Sequence, residues 1–208
     1  MVFRHCTIGG KVYRGDAVDE EQKQETVTIT PRSSDGSDPA NSQADTLETT
    51  AVPHTLSTKK MKLAEGVSRQ FRDKTLSEDI EQSMNAGADA KQARILNGFF
   101  TVLALCHTVI AAVDPETGAL EYRAQSPDEA ALVQAAADVG FIFRGRDHES
   151  LRLQTPFNEQ LEEYELLNVL EFNSTRKRMS VIVRKVDEND SRVFLLCKGA
   201  DNVGYFVT

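Results

Sequence analysis

The sequence predicts an α+β domain built on an antiparallel β-sheet flanked by helices, and three observations lead to this fold class. Residues 92–113 are apolar on nearly all sides of a helix, which is typical of a buried helix. Residues 127–139 form a second helical segment. From residue 141 onward, short runs rich in Val, Ile, Leu and Phe are separated by turns, and in several of them these residues alternate with charged ones. Helices followed by consecutive hairpin-linked strands favour the α+β class.

Composition limits the classes of partner. The 208 residues, of which 40% are hydrophobic, suffice for one domain with a core or two small ones. There are 24 Lys and Arg against 32 Asp and Glu, so the net charge of -8 disfavours nucleic acid or an anionic membrane surface as main partner. Three cysteines without CxxC spacing indicate neither a disulfide framework nor a zinc site, which favours a reducing cytosolic compartment.

The chain divides into three parts. Residues 1–15 predict a short hairpin around two glycines. Residues 16–60 contain no aromatic residue and are rich in small polar and acidic residues, so they predict a flexible, disordered insert that cannot offset its ordering entropy. Residues 61–208 are expected to form the core of the domain, shortened at its C-terminal end. Loose helical spacing of apolar residues over 61–90 predicts an amphipathic helix there.

The longest apolar run could form either a buried core helix or a membrane-spanning helix. Residues 99–113 carry no formal charge, but a membrane-spanning helix needs roughly 20 apolar residues. We therefore expect a buried core helix. The first fifteen residues have neither the apolar stretch nor the cleavage site of a signal peptide.

The second half of the chain has clear start and turn signals. Ser126 is expected as the N-cap of a helix, with Pro127 at its first position and Glu129 completing a capping box. A turn and a short strand, residues 120–124, precede it. Five further strands are expected at 141–144, 151–154, 164–172, 179–186 and 193–197, with a polar hairpin turn at 187–190.

Three segments could carry chemistry: 126–129, 171–180 and 197–201. The second joins Phe172 to three consecutive cations, so a planar base could stack on the ring while the cations face an anion. The third places Lys198 beside small residues that allow close approach to the backbone. Each segment also has a plain structural interpretation: a capping box, a core phenylalanine, a solvated turn and an exposed strand end.

Four segments together closely resemble the nucleotide-binding domain of P-type ATPases, and within that family the phospholipid-transporting flippases. They are residues 99–107, 122–133, 170–181 and 197–202, in the family's order. The first fifteen residues look like the strand by which such pumps pass from the phosphorylation domain into this one. The resemblance covers this start and the chain from residue 92 onward.

The resemblance implies a role for five residues. Phe172 stacks on adenine, and Lys198 lines the pocket near the base and the phosphates. Glu129 lies at the pocket rim on the adenine side. Ser174 and Lys177 add polar and cationic contacts. The implied ligands are ATP and, with the nucleotide, Mg²⁺; the resemblance implies no catalytic residue and no protein metal ligand in this chain.

The resemblance also implies partners and location. In a flippase this domain holds ATP for an aspartate of the phosphorylation domain, and the membrane domain moves phospholipid. The family's DKTGT motif is absent here, and residues 203–208 depart from the family pattern, so we expect a piece of a flippase without turnover of its own. The parent places it at the cytosolic face of a membrane, and the chain itself is expected to be soluble and cytoplasmic. The alternative is a non-catalytic interaction module with a vestigial nucleotide pocket.

Overall fold

The computed structural model describes residues 2–15, 70–87, 90–187 and 192–199. The predicted flexible insert, the first part of the predicted amphipathic helix and the tip of the turn at 187–190 lie outside these residues. Within them the elements are β1 (His5–Ile8), β2 (Lys11–Arg14), α1 (Lys74–Ala86), α2 (Lys91–Leu105), β3 (Ile110–Val113), β4 (Leu120–Arg123), α3 (Pro127–Asp138), β5 (Ile142–Asp147), β6 (Ser150–Gln154), β7 (Glu162–Leu170), β8 (Arg178–Lys185) and β9 (Val193–Gly199).

The main sheet is an antiparallel meander of five strands in the order β5-β6-β7-β8-β9. Two smaller antiparallel pairs, β1-β2 and β3-β4, stand beside it. Alternation along β8 buries Met179, Val181 and Val183 on one face, as expected for a half-buried strand. The α+β class and the predicted strands are confirmed, with strand ends shifted by a few residues.

The helix predicted over residues 92–113 is wrong in its last part. Helix α2 ends at Leu105, and Ile110–Val113 is strand β3. The side chain of His107 explains the break, because its Nε2 donates to the carbonyl oxygen of Ala104 at 2.7 Å and its Nδ1 accepts from the N–H of Val109 at 3.1 Å. The imidazole thus takes the place of the next helical turn.

Helix α2 is the centre of the core. It contacts the other two helices and strands β1, β5, β6 and β9. Its residues Leu96 and Phe100 are fully buried, and the Phe100 ring stacks on Phe141 with centroids 5.3 Å apart. Burying a side chain of this size contributes about 1.5–3 kcal/mol. No helix in the described part of the chain is long and apolar enough to cross a membrane.

Carboxylates fasten the N-terminal hairpin (β1–β2) to helix α1. Asp79 accepts hydrogen bonds from the buried Tyr13 hydroxyl at 2.7 Å and from Lys11 Nζ at 2.6 Å. Asp73 caps α1 through the N–H of Leu76 and also accepts the N–H of Arg14. The amphipathic prediction is confirmed for 74–86 alone.

Helix α3 fastens the chain just before α1. The buried Asp138 carboxylate accepts the backbone N–H groups of Gln70 and Phe71, at 3.0 and 2.7 Å. Phe71, expected within the amphipathic helix, is buried but precedes α1. These bonds hold the start of α1 against the core.

Candidate functional site

A cavity of about 1390 Å³ opens on the side of the domain where β1, α2, α3 and the ends of β7 and β9 meet. It exceeds the roughly 300–1,000 Å³ of most ligand pockets, so a nucleotide-sized ligand would fill only part of it. Three predicted site residues, Glu129, Phe172 and Lys198, line this cavity.

Strand β9 aims Lys198 inward. Lys198 pairs with Met179 of β8 and lies on the same face as the buried Leu196, two residues earlier. Its Nζ lies 3.3 Å from Oε1 of Glu129, and the two side chains are 12% and 19% exposed. This ion pair is therefore largely out of water.

The Lys198 ammonium is short of partners. Its nitrogen is buried and, within the described part of the chain, donates no well-aligned hydrogen bond despite the neighbouring Glu129 carboxylate. The ion pair with Glu129 therefore leaves donors of the ammonium unused, and an unused buried donor costs about 1–3 kcal/mol. A ligand with spare acceptor atoms would remove that cost, and phosphate oxygens and adenine ring nitrogens both qualify.

Helix α3 places Glu129 in its first turn. Ser126 is the N-cap and Pro127 follows it, as predicted. The predicted capping box is wrong: among the described residues the Ser126 side chain makes no capping hydrogen bond. The carboxylate of Glu129 instead accepts from the Thr108 hydroxyl at 2.7 Å and pairs with Lys198.

These contacts set the charge of Glu129. Burial alone raises the pKa of this carboxyl, but the Thr108 hydrogen bond and the Lys198 ammonium together hold its pKa below its ordinary value. Glu129 is therefore ionised at neutral pH, beside Lys198. Together the two side chains can offer an acceptor and donors side by side to the edge of a heterocyclic base.

Phe172 lies in the loop after β7, and its side chain is 61% exposed. A core role is therefore excluded for it. An exposed phenyl ring at a cavity wall is a stacking surface for a planar group.

Arg176 shapes the loop that carries Phe172. Its guanidinium donates to the carbonyl oxygens of Leu170 and Glu171, each at 3.3 Å, and to the hydroxyl of Ser180 at 3.1 Å. The fork of donors is thus engaged with the loop, where the sequence had suggested a cation facing an anion.

Ser174 and Lys177 lie on the exposed turn that follows, outside the residues lining the cavity. Lys177 has a left-handed backbone, φ 52, and its N–H donates to the carbonyl oxygen of Asn173 at 2.7 Å. The structure does not bring these two side chains to Glu129 and Lys198, and their part in binding stays a prediction.

Contacts within the chain leave no room for a side chain at Gly199. A Cβ at this position would lie 2.7 Å from the carbonyl oxygen of Lys177 and 2.8 Å from Cβ of Arg178. The close approach that the sequence assigned to a ligand is therefore made by the turn after Phe172.

Sequence reasoning missed several residues of the cavity. Thr108 and Arg123 line it, as do His5 and Thr7 of the N-terminal hairpin. Thr108 follows directly after a segment singled out for its resemblance, and that adjacency was the signal available. The resemblance of the first fifteen residues assigned no role in the site to the two hairpin residues, and only the folded chain brings them to the cavity.

Comparison with known proteins identifies the family of this chain. The family model described as "P-type ATPase, cytoplasmic domain N" matches residues 96–203. Phospholipid-transporting ATPase 10 of Arabidopsis thaliana is 38% identical over 208 residues, which cover 98% of this chain and 15% of that protein. Phospholipid-transporting ATPase IC of Xenopus tropicalis is 37% identical over 205 residues, 99% of this chain and 13% of the relative.

A third relative matches a shorter part of this chain. Phospholipid-transporting ATPase DRS2 of Saccharomyces cerevisiae is 44% identical over 126 residues, 61% of this chain and 9% of that protein. The chain therefore belongs to the P-type ATPases, as their N domain. Within that family it stands with the phospholipid-transporting ATPases. It spans 9% to 15% of the length of these three relatives.

Proposed function

We propose that this chain binds ATP in the cavity between α3, β9 and the loop after β7. The observation that carries the proposal is the buried Lys198 ammonium, which donates no well-aligned hydrogen bond within the described residues and faces a cavity walled by an exposed Phe172 ring. An aromatic platform beside a cation with unused hydrogen-bond donors suits a ligand that has both a planar base and many acceptor atoms.

Each predicted residue has a task in this proposal. Phe172 stacks on adenine, which contributes about 1–3 kcal/mol. Glu129 accepts from the 6-amino group of the base, and Lys198 donates to acceptors of the nucleotide. Ser174 and Lys177 contact the polar side of the ligand from their turn. Mg²⁺ accompanies the nucleotide on its phosphate oxygens.

We further propose what the bound nucleotide is for in the whole protein. The domain presents ATP to an aspartate of a phosphorylation domain, and the membrane domain of the same protein uses that step to move phospholipid. Catalysis of phosphoryl transfer depends on an in-line nucleophile and metal-assisted charge stabilisation. The proposed nucleophile belongs to the other domain, so the chain alone should bind ATP without hydrolysing it.

Calorimetric titration with Mg-ATP tests the proposal. Phe172→Ala should weaken binding about five- to 150-fold, the equivalent of one lost stacking contact of about 1–3 kcal/mol. Val193→Ala is the matched control, because Val193 is an exposed apolar residue outside the cavity lining. Circular dichroism checks that both variants are folded.

Equal affinity of Phe172→Ala and the unmodified chain would remove the stacking role. A chain that shows no heat of binding and no nucleotide-dependent rise in melting temperature would refute the function itself, since a ligand of the folded state raises that temperature.

A further inference from the structure

We propose that Thr108 is a positioning residue that fixes the Glu129 carboxylate for recognition of adenine. This inference rests on the proposed ATP site. Thr108 Oγ1 donates to Oε2 of Glu129 at 2.7 Å, while Oε1 lies 3.3 Å from Lys198 Nζ. One oxygen is thus held by the hydroxyl, and the other is directed to the ammonium and the cavity that both residues line.

The hydroxyl is effective because its backbone is fixed. Thr108 itself is exposed, and an exposed hydroxyl competes with water for its acceptor. The preceding residue, His107, restricts the backbone of this turn. Its ring nitrogens form hydrogen bonds with Ala104 and Val109. The ring also packs edge-on against Phe143, with centroids 4.7 Å apart. The turn that carries Thr108 is therefore anchored to the end of α2 and to β5.

The arrangement has a consequence for base selection. A fixed, ionised carboxylate oxygen accepts a hydrogen bond from the 6-amino group of adenine. Guanine places a carbonyl oxygen at the same position, which the carboxylate repels. If Glu129 could rotate freely, it would turn away from guanine and lose this discrimination. Thr108 holds it in place, so the hydroxyl contributes to ATP affinity and to the preference over GTP.

The test compares Mg-ATP and Mg-GTP binding by calorimetry for the unmodified chain, Thr108→Val and Thr108→Ser. Thr108→Val keeps the shape and removes the donor, so ATP affinity should fall about three- to tenfold, the range for one net hydrogen bond. GTP affinity should stay the same or rise, because the released Glu129 carboxylate can turn away from the carbonyl oxygen of guanine. Thr108→Ser restores a hydroxyl and should restore ATP affinity.

Thr101→Val is the matched control. It makes the same substitution at a position on α2 that does not line the cavity. Its affinities should equal those of the unmodified chain. A Thr108→Val variant that binds ATP normally, or loses ATP and GTP in the same proportion, overturns the positioning role. So does a serine variant that fails to restore ATP binding.

The outcomes separate this inference from the proposed function. If Phe172→Ala weakens ATP binding and Thr108→Val does not, the site stands and the role of Thr108 falls. If the unmodified chain binds neither nucleotide, both fall together.

Discussion

The junction of the N-terminal hairpin with α1 and the rim of the cavity differ in how completely their hydrogen-bonding groups are satisfied. Around this junction, including the segment just before α1 that Asp138 of α3 binds, the carboxylates of Asp73, Asp79 and Asp138 each accept two or more hydrogen bonds. At the rim, Phe172 is left exposed and the Lys198 ammonium is buried without a well-aligned acceptor in the described residues. Satisfied groups hold a fold together, whereas an unsatisfied donor beside an open ring is typical of a ligand site.

The sharpest test of the contrast is Asp138→Ala. It leaves the backbone N–H groups of Gln70 and Phe71 without their acceptor, so unfolding free energy should fall by about 2–4 kcal/mol. Asp128→Ala on the same helix is the control, with an expected loss of no more than about 1 kcal/mol. Urea denaturation measures both. If ATP affinity of folded Asp138→Ala fell while its stability did not, the division between junction and rim would be lost.

His107 provides a pH-dependent test. Burial lowers the pKa of His107 to about 4, from an ordinary value near 6.5. The unfolded chain therefore binds more protons than the folded chain between these values, and stability falls as pH falls through that window. From pH 7.5 to 5 this group alone should remove about 2 kcal/mol.

The measurement is urea denaturation of the unmodified chain and of His107→Gln across that pH range. The variant cannot titrate there, so its stability should fall less steeply, whatever its value at pH 7.5. Parallel curves for the two chains would mean that His107 has the same pKa in the folded and the unfolded chain, which would contradict a buried imidazole that holds the turn.

The smallest expected effect concerns the loop. Arg176→Lys keeps the charge but loses the fork that binds Leu170, Glu171 and Ser180, so ATP affinity should fall about fivefold with little change in stability. Arg178→Lys, on an exposed neighbour, should leave affinity unchanged. Affinities that agree for the two lysine variants would show that Arg176 does not hold the Phe172 loop for binding.

Local patterns account for what the sequence could predict. Alternation along β8 and the Ser126-Pro127 helix start depend on neighbouring residues, and both are present in the structure. Helix α2 ends early because a side chain, His107, satisfies backbone groups, and no periodicity of apolar residues reveals such a bond. The contact of Thr108 with Glu129 joins positions 21 apart and exists only after folding.

The site was predicted unevenly for a similar reason. Glu129, Phe172 and Lys198 line one cavity, and their motifs stand close to helix and strand ends, which sequence can locate. Ser174 and Lys177 follow in the same motif as Phe172 but lie on an exposed turn and are not among the residues that line the cavity. Residues that are adjacent in the sequence of a turn need not point their side chains the same way. A left-handed residue such as Lys177 changes the direction of the backbone there.

The close approach of the Lys177 carbonyl to Gly199 has a consequence for sequence variation and for engineering of this domain. A side chain at position 199 is accommodated only if the turn at 173–177 moves, and that turn follows directly after Phe172. Substitutions in the two segments are therefore expected to vary jointly among relatives. For the same reason, exchanging one segment alone between two P-type ATPase N domains should misplace the aromatic ring, whereas transplanting both as a pair should preserve its position.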